Sequence, residues 1–169
     1  MAGEVLREQL KSRKKTTLTE LPTVNQGSPL SPAQIYQERM RSTLLLGYRY
    51  DCGKCEKWHV SIAGAVAITS DGVLATNEHV MANGQADGFG AMTFDGQFLP
   101  VTEVLASNAA EDVALIRVET EGLAPVAIGQ AQVGESVSVL SHPDGHFFSL
   151  TTGNVCLLYT SPSPRDVRS

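Results

Sequence analysis

At 169 residues the chain holds one or two small domains, and 42% hydrophobic against 18% charged residues excludes wholesale disorder. No apolar run reaches the ~18–20 residues of a membrane-crossing helix, and Met1 to Lys15 is charged where a secretory leader is apolar. Residues 1–50 carry eight Lys/Arg against four Asp/Glu, and residues 51–169 five against fourteen; an acidic second part whose single cation between Trp58 and Cys156 is Arg117 does not suit phosphate backbones.

The pattern from Glu4 to Lys15 predicts a short helical stub, followed by a Thr/Pro/Ser-rich linker through Pro22, Gly27 and Pro29. Residues 1–30 therefore read as a basic helical stub and flexible linker, with Lys11-Ser12-Arg13-Lys14-Lys15 a solvated tail. Ser31-Pro32-Ala33-Gln34 is a helix start: the hydroxyl caps a free N–H, proline fits the first turn, and glutamine reaches back to the cap. Ile35, Tyr36 and Met40 give that helix a short apolar face. From Thr43 the period changes to β-type runs at 43–50, 60–69, 72–76, 91–94, 98–105, 113–118, 137–140 and 147–152, punctuated by Asp-Gly and Asn-Gly turns. Many short strands without βαβ alternation or solenoid repeat predict an all-β antiparallel barrel or sandwich.

His79, in Thr76-Asn77-Glu78-His79-Val80, stands at the end of an apolar strand, and Asp112 heads another at Asp112-Val113-Ala114-Leu115. Singly, each reads as an ordinary turn or surface residue. Together with Ala63-Gly64-Ala65-Val66-Ala67-Ile68 before them and Ser141-His142-Pro143-Asp144-Gly145 and Thr152-Gly153 after them, they resemble the trypsin-like peptidases, especially the HtrA/Deg-type branch. The resemblance spans roughly residues 58–155 and implies a two-barrel serine protease architecture within a peptidase domain at 31–155. The first barrel would be complete at about 44–120, Gly122-Leu123-Ala124-Pro125 would cross over, and 126–155 would begin an incomplete second barrel. It further implies a serine endopeptidase that cleaves polypeptides by Ser-His-Asp acyl transfer without metal or organic cofactor, in a family often extracytoplasmic in bacteria. His79 would be the general base and Asp112 its orienting acid, Glu111 being the competing carboxylate.

The nucleophile is missing. No Gly-x-Ser-Gly-Gly-like turn occurs, and Ser141, Ser149, Ser161, Ser163 and Ser169 lack the flanking glycines that would supply an oxyanion hole. Residues 156–169 break into a Pro/Ser stretch that reads as a non-native tail, so the expectation is a fragment whose natural continuation lies past Val155. Strand partners for Val137, Val139, Leu140 and Phe147 would lie in that continuation.

A second constellation is Cys52-Gly53-Lys54-Cys55 with His59 four residues on. Three readings stay open: a reduced thiol pair or local disulfide bracing the barrel entrance, inert thiols, and a metal site, for which a tetrahedral zinc would want a fourth ligand from afar. Trp58 is expected to pack in the core or cap the barrel, and His59, His142 and His146 to be turn or surface residues rather than metal ligands. Alternatives to the peptidase reading are a non-catalytic protease-like β-barrel that binds peptides and a small zinc-braced β-domain.

Overall fold

The computed structural model describes residues 2–18, 21–24, 29–84 and 86–156; the linker around Gly27 and the tail from Leu157, with Ser161, Ser163 and Ser169, lie outside the described residues. Two helices come first, α1 (Ala2–Ser12) and α2 (Pro32–Arg39). Six strands follow, β1 (Thr43–Asp51), β2 (Trp58–Ala67), β3 (Val73–Thr76), β4 (Ala86–Met92), β5 (Phe98–Asn108) and β6 (Val113–Val118), with a one-turn helix α3 (Glu78–Met81) between β3 and β4. They close in the order β1-β2-β3-β6-β5-β4, all pairs antiparallel. β7 (Ser136–Ser141) and β8 (Ser149–Asn154) form a separate two-stranded sheet.

Alternation along the strands fills the barrel. Leu44, Leu46, Leu74, Val104, Ala114, Ile116 and Val118 are almost wholly buried and form one cluster. Gly72 (φ +99°) makes the turn into β3 possible. A Cβ there would sit 2.1 Å from the Val118 carbonyl, while the Gly72 carbonyl accepts the Val118 N–H at 2.9 Å. The start of α2 is built as its residues dictate: Gln34 N–H donates to Ser31 Oγ and Ser31 N–H to Gln34 Oε1, although Ile35 and Tyr36 are only half-buried.

The N-terminal helix is part of the barrel's packing. Leu6 and Leu10 are 3% and 4% exposed within the core cluster, and Gly3 approaches the Ala86 carbonyl so closely that a Cβ would lie 2.3 Å from it. The β5 strand carries two register shifts, and beside the second of them Gln9 Oε1 accepts the Val104 N–H at 2.8 Å. The basic run is engaged too: Arg13 pairs with Glu103 and bonds the Val104 carbonyl at 3.0 Å, and Lys14 Nζ reaches the Leu10 carbonyl and Ser107 Oγ. Trp58 corrects the expectation of barrel packing. It is 57% exposed, because its register opposite Asp51 lies past the closed part of the barrel, and the Arg49 guanidinium lies over its ring at 4.6 Å.

Candidate active site

Strand pairing closes the 33-residue gap between the two residues singled out above. The β3–β6 register sets Thr76 opposite Ala114, so the residues just after β3 and just before β6 meet at one rim. Val80 and Met81 bury into the core at 8% and 1% exposure, anchoring α3 and leaving His79 directed outward. His79 Nδ1 lies 2.8 Å from Asp112 Oδ2 and 3.0 Å from Oδ1. A carboxylate only accepts, so Nδ1 carries the proton and Nε2 holds the free lone pair. Nε2 has no hydrogen bond among the described residues, and 70% of the His79 side chain is exposed.

Asp112 is held from several sides. The His79 backbone N–H donates to Oδ1 at 2.9 Å, and Asn77 Nδ2 donates to Oδ2 at 3.1 Å and to the Asp112 carbonyl at 3.3 Å. Asn77 stands where a helix cap would, yet its side chain caps nothing because it is spent on Asp112. Asp112 itself sits in the left-handed region at φ +52°, a conformation a non-glycine residue keeps only when its surroundings hold it there. The His79 amide first, then the His79 ring and Asn77, hold its carboxyl below the ordinary value against partial desolvation. In the sequence Asn77 stands only as part of the Thr76-to-Val80 block. Its role shows only in the fold, though an asparagine two residues before the histidine was a signal.

The other residues of interest fall elsewhere. Ser141 ends β7 and Ser149 opens β8, where its Oγ donates to the His146 carbonyl at 2.9 Å. Among the described residues the hydrogen bonds of His79 go to Asp112, while the Glu111 N–H donates to Asn108 Oδ1 at 3.3 Å. His142 is half-buried rather than a plain surface residue: its ring packs over Gly64 of β2, Nδ1 accepts the Phe148 N–H at 3.0 Å, and it stacks edge-on with Phe148. The remaining nitrogen makes no well-formed hydrogen bond, and burial lowers the pKa despite an opposing contact with the Leu44 carbonyl. A cavity of about 390 Å³ beside the rim is lined by Arg39 of α2, Thr76, Asn77, Val126, Ser138 and Leu140, so barrel and second sheet both face it.

Cys52, Cys55 and His59 are brought together at the β1–β2 tip. The two sulfurs are free and 3.5 Å apart, and Cys55 Sγ lies 3.1 Å from His59 Nε2.

The site is thus a carboxylate-oriented imidazole on the rim of a closed antiparallel barrel. The profile of the trypsin-like peptidase domain matches residues 63–168, and the chain belongs to the trypsin-like peptidase family, a family of serine endopeptidases. It is 34% identical over 98 residues to a probable periplasmic serine endoprotease DegP-like of Ectopseudomonas mendocina (strain ymp), which covers 56% of this chain and 20% of that protein. The corresponding protein of Pseudomonas fulva (strain 12-X) is 33% identical over the same length and the same shares. The chain thus spans about a fifth of the length of these relatives. Among solved structures it is similar to the HtrA-type protease AlgW with decapeptide (TM-score 0.65, 18% identity, 75% of this chain and 46% of that one). A variant of AlgW with tripeptide gives a TM-score of 0.63 at 21% identity, over 76% and 40%. The closed barrel and two-stranded sheet are accordingly a partial trypsin-like fold of the HtrA type.

Proposed function

We propose that this chain supplies the general base and orienting acid of a serine endopeptidase, the nucleophile coming from sequence that follows Val155 in the intact protein. The observation carrying this is the 2.8 Å contact of His79 Nδ1 with Asp112, which leaves Nε2 as the base and turns it to solvent. In that role His79 takes the proton of the attacking hydroxyl and returns it to the leaving amine. Asp112, pinned by Asn77 and the His79 amide, keeps the imidazole in the needed tautomer and stabilises its charged form. The substrate is a polypeptide, in keeping with the peptides held by the related AlgW structures. No organic cofactor or catalytic metal enters this chemistry.

The 169-residue chain itself is inactive in this reading, since triad members act as a unit and no glycine-flanked serine is present. The test has two arms. A fluorophosphonate probe should leave every serine of this chain unlabelled; stoichiometric labelling would overturn the missing-nucleophile reading. In the protein extended to its genomic end, casein hydrolysis should appear and His79→Ala should abolish it while the thermal transition persists. Hydrolysis surviving that substitution would remove His79 from the mechanism.

A further inference from the structure

Pairing of β1 with β4 ends at Tyr50, and beyond it the β1–β2 hairpin runs on to a turn flanked by Trp58 at 57% exposure, so packing does little to hold its tip. Strand pairing ends at Asp51 and Trp58, leaving residues 52–57 to turn the chain. Inside that turn Asp51 Oδ1 accepts the Gly53 N–H at 2.8 Å, and Gly53 takes φ +65°, which folds Cys55 back toward Cys52. On the returning strand the His59 ring is stacked on Tyr50 (centroids 5.5 Å apart, 30° between planes), which aims Nε2 at the sulfurs. One ligand atom from each of Cys52, Cys55 and His59 falls within 4.8 Å of the others.

These separations suit one ion. Bonds of ~2.3 Å to sulfur and ~2.0–2.1 Å to nitrogen at tetrahedral angles put two sulfurs about 3.8 Å apart, and a sulfur and a nitrogen about 3.5 Å apart. Two of the three pairs stand at 3.5 Å and 3.1 Å and the third, Cys52 with His59, within 4.8 Å, so side-chain rotations that close this last pair by about an ångström bring all three donors onto one ion. We propose that the β1–β2 hairpin binds one zinc ion through Cys52 Sγ, Cys55 Sγ and His59 Nε2, water completing the tetrahedron, as a staple for a tip the hydrophobic core does not reach. Thiolate and imidazole donors select zinc over magnesium or calcium, which take oxygen. Both thiols release their protons to solvent as the ion binds, and the two thiolates neutralise its charge. A disulfide would leave the oriented His59 ring without a part to play. The site is independent of the peptidase reading, since neither His79 nor Asp112 belongs to it.

The test uses the full chain, purified under reducing conditions and titrated with cobalt(II), then zinc(II). One equivalent of cobalt should produce thiolate-to-metal charge-transfer absorption and intense tetrahedral d–d bands that one equivalent of zinc removes. Zinc should slow iodoacetamide alkylation of Cys52 and Cys55 by at least tenfold while Cys156 reacts unchanged, as read by peptide mass spectrometry. Cys52→Ser and His59→Ala should each weaken cobalt binding by at least tenfold, and His146→Ala should not. Absence of the charge-transfer bands, or equal alkylation of Cys52, Cys55 and Cys156 with zinc present, overturns the proposal; the alkylation readout on the unaltered chain does not depend on any variant folding.

Discussion

Asp112 concentrates three roles in one carboxylate: it ties the end of β3 to the start of β6, occupies a left-handed backbone position, and orients His79. Because its folded pKa lies below the unfolded value of about 3.9, the stability it contributes is complete above that value and is lost as pH falls through the folded one. The His79 amide proton should therefore shift with an inflection below about pH 4 in an NMR titration, following the donor bond to Asp112. Asp112→Asn should remove that inflection and leave the acid limb of the stability curve flatter. A His79 amide that does not titrate in the acid range would show that the bond is not held in solution.

At the scale of elements, α1 is the surprise. Its residues look like a charged stub, yet Gly3, Leu6 and Leu10 lie on one face at helical spacing and complete the barrel's core between β4 and β5. Leu6→Ala or Leu10→Ala should each cost about 2–4 kcal/mol in urea unfolding monitored by circular dichroism, the range for a large-to-small change in a packed core. A loss under about 0.5 kcal/mol, the ordinary surface value, would mean that α1 rides on the barrel without supporting it. The spacing of these leucines was readable, but eleven residues are too few for a helix to persist unaided, so its place depended on a surface that exists only after the strands close.

On the scale of the whole molecule, stability is divided between a closed barrel and a two-stranded sheet. Val139 and Phe147 are 52% and 46% exposed, and the loop joining β7 to β8 touches the barrel side where His142 covers Gly64 and Phe148 meets Phe94 edge-on at 5.4 Å. Two strands alone are marginal in water, so residues 136–154 should exchange amide hydrogens well before β1, β3 and β6. Burial holds His142 below its ordinary value of 6.5, so the unfolded or undocked chain takes up the proton first. The docking energy is then complete above that ordinary value and declines as pH falls from it toward the folded one. Exchange in 136–154, corrected for intrinsic rates, should accelerate between pH ~7.5 and ~5.5, and His142→Gln should abolish the difference. Protection there equal to the barrel's at both pH values would contradict this division.

Strand identity, the capped start of α2 and the two segments carrying His79 and Asp112 were legible in residue order, because alternation, turn residues and capping act within a few positions of one another. The β6 strand stands at its expected limits, whereas β4 covers Ala86–Met92 against an expected 91–94, since Asp87, Gly88 and Gly90 break up the β-type pattern around the buried Phe89. Trp58 was misplaced for the converse reason: a large apolar residue is drawn inward only where the sheet has an inside, and the hairpin tip has none. What only the tertiary structure decided are the contacts between residues far apart in sequence. Asn77 on Asp112, α1 in the core and His142 over Gly64 each require the β3–β6 pairing, barrel closure or sheet docking to come first, and no local preference encodes those distances.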